Sequence, residues 1–253
     1  MQKLESIAER IRRDFDARTA ARDKALATAR QLTRACSLAI RAAHRLETDT
    51  STRLSAGTST RLSAGTSTRL SAGEMAGQLS EARSLADALR AELQGYPDLF
   101  HAGYTQDALK EFVEANATCA LIQNQSLPTP EALGVGGATY LNGLAEVVGE
   151  LRRRTLDILR HGYSQEAERL LGLMDDIYSV LVSMDYPDAI TSGLRRQTDV
   201  ARSIIEKTRG DITFSLRGEH LEQAIGKLIV QLNGEQARVG KEAGAFVAQG
   251  EDD

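Results

Sequence analysis

The first 48 residues contain no glycine or proline, and their apolar side chains recur at helical spacing. When successive residues are placed about 100° apart, these apolar positions fall within a sector of about 120°. The sector comprises Leu4, Ile7, Ile11, Phe15, Leu26, Ala29, Leu32, Cys36, Ile40 and Ala43. The pattern predicts one long helix over residues 2–48. An apolar face of this length needs several partner helices or another subunit to cover it.

The composition favours an all-α protein. The 253 residues include only four prolines and no tryptophan, and aromatic side chains make up 4% of the chain. Sandwiches and barrels of short strands are richer in proline and aromatic residues. The abundant residues of this chain, alanine, leucine, arginine and glutamate, are instead strong helix formers. Hydrophobic residues at 42% and charged residues at 26% exclude a wholly disordered chain. We therefore expect a single helical domain over residues 1–253.

The charge balance and the lack of long apolar stretches predict a cytoplasmic protein without a membrane segment. No stretch approaches the ~20 apolar residues of a membrane helix, and the charged start MQKLESIAERIRRDF lacks the apolar centre of a signal peptide. Cys36 and Cys119 lie among alanines and leucines, which favours small buried side chains over a disulfide. With 31 basic and 35 acidic residues the net charge is −4, so any nucleic-acid binding must rest on local positive charge.

Residues 50–73 are three perfect copies of the octapeptide TSTRLSAG. Eight residues advance a helix by about 80° beyond whole turns, so the leucines and arginines of the copies would be spread around the axis. A glycine also ends each copy, at positions 57, 65 and 73, and weakens any helix there. The repeat therefore predicts an expanded, mobile loop inserted between the first two helices.

From Glu74 onward, helical patterns alternate with short connections. They predict helices over residues 74–95, 105–124, 138–160 and 164–184, another from Pro187 to Thr208 or beyond, and a helical stretch after Gly218 that ends in a flexible tail over 240–253. Thr129 and Ser164 are expected N-caps, the first followed by a proline suited to the first helical turn. The glycines at 134–137 follow no strand and precede no Gly-Lys-Ser/Thr motif, so they predict a turn rather than a phosphate-binding loop. Together, the predicted helices and their short connections indicate a bundle of about seven helices.

Two of the predicted helices each carry a pair of glutamates at helical spacing. Glu111 and Glu114 are three residues apart, and Glu146 and Glu150 are four apart, so each pair lies on one face of its helix. The neighbouring residues are apolar, and a glutamate that faces a bundle core must be paired, protonated or bound to a cation. Four carboxylates converging from adjacent helices would bind a hard cation such as Mg²⁺ or Mn²⁺. Gly149 would allow a partner backbone or a substrate to approach closely.

The glutamate pairs have two other interpretations. A di-iron bundle needs Glu-x-x-His on two helices, and none of the four histidines follows a glutamate by three residues, which excludes it. Solvent-exposed glutamate pairs on ordinary helix faces are common, and the spacing alone leaves that alternative open.

A stripe of arginines runs beside the apolar face of the first predicted helix. At about 100° per residue its members lie within about 60° of one another, with His44 just beside them. The arginine stripe comprises Arg12, Arg30, Arg34, Arg41 and Arg45. Guanidinium groups bind phosphate through a planar fork of donors, so we expect Arg30, Arg34, Arg41, His44 and Arg45 to contact single-stranded nucleic acid. A solvent-exposed face paired with glutamates is the open alternative, although few acidic residues lie four positions away.

Four separated segments resemble the translin superfamily. They are LKEFVEA at 109–115, YLNGLAEVVGELRR at 140–153, the run from Tyr186-Pro187 to Leu216-Arg217-Gly218, and ARQLTRACSLAIRAAHR at 29–45, which is similar to the family's first-helix segment ending in His-Arg. The resemblance covers most of residues 5–218 apart from the octapeptide repeat. It implies the translin-like helical fold.

The superfamily contains two kinds of subunit, and the chain resembles the second. Translin binds single-stranded RNA and DNA, whereas translin-associated factor X (TRAX) carries the acidic metal site of an endoribonuclease. Glu111 and Glu114 stand at the acidic positions of its QE-aromatic-VEA segment, and Glu146 and Glu150 at those of its GVAD..GEL segment. Glu146 replaces the usual aspartate, and the extra methylene bears on rate or metal preference. Archaeal single-subunit relatives resemble the chain most, and their hollow octamers imply a homo-oligomer.

The resemblance implies a metal-dependent endoribonuclease acting on single-stranded RNA, with Mg²⁺ or Mn²⁺ held by the four glutamates. A glutamate that does not ligate the metal would orient or deprotonate the attacking water. A non-catalytic oligomer that binds single-stranded RNA or DNA is the alternative, and the arginine stripe fits both. A purely structural helical oligomer is a third interpretation.

Overall fold

The computed structural model describes residues 2–46 and 58–248, and the side chains within 3–46 and 69–234. These residues form nine α-helices and no β-strand, which confirms the predicted all-α fold. The helices are α1 (Gln2–His44), α2 (Thr58–Glu92), α3 (Pro97–Phe100), α4 (Gly103–Ile122), α5 (Pro130–Leu133), α6 (Gly137–Leu159), α7 (Gln165–Val182), α8 (Asp188–Thr191) and α9 (Leu194–Ala248). Within these ranges no helix combines the length and the apolar character needed to cross a membrane.

Helices α1, α2 and α4 enclose the first hydrophobic core. Helix α2 runs antiparallel to α1, because Thr28 Oγ1 donates a hydrogen bond to Glu92 Oε2 at the end of α2, whereas Arg45 bonds Glu74 nearer its start. The core side chains include Leu32, Cys36, Leu89, Leu109 and Phe112. Their burial removes the apolar face of α1 from water and fixes the position of α4 against it.

Only the second half of the predicted apolar face of α1 is buried. Leu32 is fully buried and Ile40 is 6% exposed, whereas Leu4 is 68% and Phe15 62% exposed. Helix α1 ends at His44, slightly before the predicted boundary, and residues 47–48 lie outside the described part. The first turns of α1 therefore project from the bundle with their apolar side chains uncovered by any described residue.

Both cysteines are buried and free, as their alanine-rich surroundings predict. Burial raises the pKa of the Cys119 thiol to about 12. Burial also raises the pKa of Cys36, and the nearby carboxylates of Glu111 and Glu114 act in the same direction. Thiols held in the protonated form are poor nucleophiles, so both side chains act as small core residues.

Helices α6, α7 and α9 form the second hydrophobic core together with α4. Its side chains include Leu151, Leu170, Met174, Leu194 and Ile205. Helix α7 packs against α9. Asp175 of α7 accepts two hydrogen bonds from Arg209 of α9, at 2.8 and 2.9 Å. Because α4 contributes to both cores, it lies in the middle of the bundle with α6 beside it.

The predicted caps and turn are confirmed. Thr129 Oγ1 accepts a hydrogen bond from the Ala132 amide at 3.1 Å, with proline in the first position of α5. Ser164 Oγ accepts one from the Glu166 amide at 3.2 Å at the start of α7. Gly134 ends α5 with φ 66° and ψ 39°, a left-handed conformation that glycine adopts without strain.

The structure differs from the predicted loop over much of the octapeptide repeat. Residues 58–73 form the first turns of α2, and residues 50–57 lie outside the described part. Each glycine costs about 1 kcal/mol in a helix, but these turns extend an already packed helix, so no new nucleation is needed. Ser71 is 7% exposed and Ala72 packs beside Met75, so the last copy contributes to the core.

The last part of the chain also differs from its prediction. Helix α9 continues without a break past Gly218 to Ala248, so residues 240–248 of the expected flexible tail are helical, and 249–253 lie outside the described part. The predicted helix start at Pro187 is the four-residue α8 instead. A turn with positive φ at Ser192 (55°) and Gly193 (80°) separates α8 from α9.

Helices α4 and α6 approach closely at one glycine, but not at the predicted one. A Cβ on Gly143 would lie 2.7 Å from two carbons of Val113 and 3.0 Å from the carbonyl oxygen of Lys110. A Cβ on Gly149 would meet no described atom within 4 Å. Gly143 therefore sets the separation of the two helices that carry the glutamate pairs, and no described backbone approaches Gly149.

Candidate metal centre

The glutamates of α4 and α6 meet because these helices lie side by side and run in the same direction. Thr139 Oγ1 donates to Gln106 Oε1 at 2.6 Å near the start of both helices, and Lys110 bonds Glu146 about two turns later in α6. This register places the two carboxylates of α4 opposite the first carboxylate of α6. One oxygen each from Glu111, Glu114 and Glu146 lies within 4.8 Å of the others, and all three side chains are partly buried.

The buried carboxylates repel one another and hold protons tightly. Glu114 is 9% exposed, and burial together with the charges of Glu111 and Glu146 raises its pKa to about 8. Burial and the charge of Glu146 also raise the pKa of Glu111 above its ordinary value. A divalent cation would remove this repulsion and restore the ionised form of each group.

Lys110 belongs to the same cluster, although the sequence had not singled it out. Its Nζ lies 2.8 Å from Glu146 Oε1 and 3.8 Å from a carboxylate oxygen of Asp107. Burial opposes the charged form, but the hydrogen bond and charge of Glu146, aided by Asp107 and Glu111, raise the pKa of Lys110. Its position immediately before Glu111, on the same helix, was the available signal.

The donor set fits a hard divalent cation. Glu146 Oε2 is buried and has no hydrogen-bond partner among the described residues, while its other oxygen bonds Lys110. An unpartnered buried carboxylate oxygen is costly, and it lies beside two further carboxylates that lack a cationic partner in the described structure. Oxygen donors with net negative charge are the ligands that Mg²⁺ and Mn²⁺ prefer, so Glu111, Glu114 and Glu146 would hold either ion.

Glu150 is the fourth predicted ligand, and the structure places its carboxylate outside this three-residue group. Glu150 Oε2 lies 2.5 Å from His44 Nε2 and 3.8 Å from Arg153. The hydrogen bond and charge of His44 lower the pKa of Glu150 despite its burial. The end of α1 is fixed beside α6 because Arg154 donates to the carbonyl oxygens of His44 (2.9 Å) and Leu46 (2.6 Å).

His44 therefore differs from its predicted place among the exposed arginines. Its side chain is 5% exposed, and its Nδ1 is buried without a partner in the described part of the chain. At the end of α1 a small rotation decides whether a side chain faces solvent or the neighbouring helix, and sequence spacing does not resolve it.

The arginine stripe is mostly exposed and adjoins the carboxylates. Arg30, Arg34 and Arg41 are exposed and form no ion pair within the described residues, whereas Arg45 bonds Glu74 at 2.7 Å. A cavity of about 390 Å³ between α1 and α4 is lined by Arg30 on one side and by Glu111 on the other. Arg30 of the stripe and Glu111 of the candidate metal centre therefore border the same cavity.

The comparisons with known proteins identify the family. No protein-family model matches the chain. The uncharacterized protein MJ0175 of Methanocaldococcus jannaschii is 27% identical over 215 residues, 85% of each chain. Among solved structures, AfC3PO in complex with duplex RNA is 30% identical with a TM-score of 0.66, covering 83% of this chain and 97% of that one.

Further solved structures share the same architecture. The crystal structure of AfC3PO is 29% identical with a TM-score of 0.66, covering 83% of this chain and 97% of that one. Apo-NeC3PO is 20% identical with a TM-score of 0.64, covering 82% and 96%, which shows the fold alone. AfC3PO and NeC3PO are translin-family proteins. The chain belongs to the translin family.

Proposed function

We propose that the chain is a metal-dependent endoribonuclease of the TRAX-like archaeal type. The observation that carries this proposal is the convergence of Glu111, Glu114 and Glu146 within 4.8 Å, with one buried carboxylate oxygen unpartnered in the described structure. RNA as the substrate class is supported by the AfC3PO relative in complex with duplex RNA. Single-stranded RNA is the proposed substrate, as the resemblance implies, and single-stranded DNA is a weaker candidate ligand.

The residues of the centre have separate tasks in this proposal. A bound cation supplies two effects, a lower pKa for an attacking water and an offset for negative charge on the phosphate. Glu111, Glu114 and Glu146 hold the ion, and Glu114 must release its proton to do so. Lys110 keeps a positive charge beside Glu146, where it can donate a hydrogen bond to an entering phosphate oxygen.

Glu150 suits the role of the glutamate that does not ligate the metal. Its pKa is lowered by His44, so it is ionised at neutral pH and accepts a hydrogen bond from that imidazole. An ionised carboxylate beside the ligand cluster is placed to orient a water molecule rather than to hold the ion. His44 then fixes the orientation of Glu150 instead of contacting RNA.

The arginine stripe supplies the path by which RNA reaches the centre. Arg30, Arg34 and Arg41 present guanidinium groups along one face of α1, and Arg30 shares a cavity with Glu111. A backbone bound along these residues therefore passes the carboxylates. Assembly into a homo-oligomer and a cytoplasmic location belong to the same proposal, and the octamer rests on the resemblance alone.

Cleavage of labelled RNA tests the proposal. Single-stranded and duplex RNA are each incubated with pure protein in Mg²⁺, in Mn²⁺ and in EDTA. We expect cation-dependent internal cleavage by wild type and by the control Glu81→Gln, which alters an exposed glutamate on α2. Glu114→Gln should lose cleavage while RNA binding in EDTA persists. Cleavage that continues in EDTA, or in Glu114→Gln, would overturn the metal-centre mechanism.

A second candidate is a non-catalytic oligomer that binds single-stranded RNA or DNA. The pairing of Glu150 with His44 favours it, because one of the four acids implied by the resemblance already has a partner. RNA binding that is unaffected by cations, with no cleavage under any condition above, would select this candidate.

A further inference from the structure

Helix α9 leaves the bundle and carries an uncovered apolar stripe. Ile212, 2% exposed, is its last buried residue within the described side chains, and every residue from His220 to Gly234 is exposed. The α9 stripe comprises Phe214, Leu221, Ile225, Leu228, Ile229 and Leu232. Their exposed fractions run from 48% at Ile225 to 81% at Phe214, which is unusual for apolar side chains aligned along one helix.

The α9 stripe has the spacing of a coiled-coil seam. Leu221, Ile225, Leu228 and Leu232 follow one another at intervals of four, three and four residues. This is the alternation of the d and a positions of a heptad, and Phe214 occupies the preceding d position. The a positions of this segment are Gly218, Ile225 and Leu232. At its centre the β-branched Ile225 at a lies between leucines at d, which is the combination that favours two parallel strands.

Charged residues flank the α9 stripe in a self-complementary arrangement. In the same heptad phase Arg217 occupies a g position and Glu222 the following e position. In a parallel pair in register, each g residue faces the e residue of the next heptad on the other helix. Arg217 of one copy would therefore meet Glu222 of the other, twice by symmetry. Neither residue forms an ion pair within the described part of the chain.

We propose that the α9 stripe is an interface with a second copy of this chain, formed by parallel, in-register pairing of two α9 helices over residues 214–232. The paired segment would be about 28 Å long at 1.5 Å per residue. Self-complementarity of both the seam and its flanking charges selects a second copy rather than an unrelated partner. Most of the segment lies beyond Gly218, where the resemblance to the translin superfamily ends. The pairing would occur whether or not the chain cleaves RNA.

Disulfide trapping in the full-length protein tests the pairing directly. Ile225→Cys places one thiol at an a position of each helix, where paired helices bring the two within disulfide reach. The matched control is Val230→Cys, because Val230 is 71% exposed but lies on the outer side of the same helix turn. We expect a dimer band under mild oxidation to form about tenfold faster for Ile225→Cys than for the control. Equal rates would overturn the proposal.

Two further variants test the seam and the register. Adding Leu228→Glu to Ile225→Cys should abolish the fast cross-link and lower the mass of the assembly in sedimentation, whereas Val230→Glu should change neither. Arg217→Glu should slow cross-linking, and adding Glu222→Arg should restore the wild-type rate. Failure of that restoration would overturn the parallel register, and unchanged mass and cross-linking in Leu228→Glu would assign the stripe to another occupant.

Discussion

Lys110 Nζ lies 2.8 Å from Glu146 Oε1, so a cation of the protein itself stands at the edge of the candidate metal centre. This ion pair neutralises one of three converging carboxylates and leaves the second oxygen of Glu146 free for a ligand. Lys110 therefore reduces the repulsion among the carboxylates of the metal-free centre, but it does not occupy the place of a metal ion. Metal binding and this ion pair both involve Glu146. Loss of the ion pair should therefore destabilise the metal-free protein more than the metal-bound protein.

Removal of Lys110 should affect the metal-free protein most. Lys110→Met leaves Glu146 without its partner, and because both groups are partly exposed we expect a loss of about 1 kcal/mol in EDTA. Saturating Mg²⁺ should raise the melting temperature of the variant more than that of wild type, since the ion replaces the lost charge. Thermal melts with and without Mg²⁺ measure both effects. Lys207→Met, an exposed lysine on α9, is the control, and equal behaviour of the two variants would contradict the account.

Glu114 gives the metal-free protein a pH dependence of known sign. Its pKa is raised from 4.5 to about 8, so the folded protein binds this proton more tightly than the unfolded chain does. The resulting stabilisation is fully present below pH 4.5 and is lost as pH rises towards 8. In EDTA, the difference in melting temperature between Glu114→Gln and wild type should therefore grow in favour of the variant over this range. A difference that does not change with pH would show that Glu114 is not held protonated.

The spacing of the glutamates predicted much of the centre, because helical geometry places residues three or four apart on one face. It could not predict that Glu150 turns to His44, since that contact depends on where Arg154 fixes the end of α1. The helical part of the octapeptide repeat was missed for a different reason. Helix propensity counts the full cost of each glycine, as if the repeat had to form a helix alone. In the structure the preceding turns extend the packed remainder of α2, so no new helix nucleus is needed.

Gly143 should be intolerant of a side chain, and Gly149 should not. Gly143→Ala brings a Cβ to 2.7 Å from Val113, so the two central helices must separate, and we expect a loss of about 2 kcal/mol. Gly149→Ala meets no described atom within 4 Å and should be neutral or stabilising by up to about 1 kcal/mol. Chemical denaturation of both variants measures the difference. Equal stabilities would mean that α4 and α6 are not in contact at Gly143.

Replacement of three exposed arginines should change how RNA binding responds to salt. The triple variant Arg30→Ala, Arg34→Ala and Arg41→Ala removes three groups that would contact phosphate. Each contact to a single strand contributes about 0.7 to the salt slope, so the slope should fall by roughly two. Binding of labelled single-stranded RNA in EDTA, over a series of salt concentrations, measures this slope.

The control for the stripe is a second triple variant, with the same change in charge, at the C-terminal end of α6 and on α9. It replaces Arg160, Arg196 and Arg202, which are also exposed. This variant should retain most of the salt slope, because its arginines lie away from the stripe. An unchanged slope in the stripe variant would mean that these arginines serve assembly or packing instead.

Titration with Mn²⁺, followed by the electron paramagnetic resonance signal of the free ion, tests the central claim most directly. Wild type and Glu81→Gln should bind Mn²⁺ saturably, whereas Glu111→Gln, Glu114→Gln and Glu146→Gln should each weaken binding by about tenfold or more. Mg²⁺ should compete for the same site. Mn²⁺ binding that is absent in wild type, or unchanged in all three glutamine variants, would contradict the metal centre.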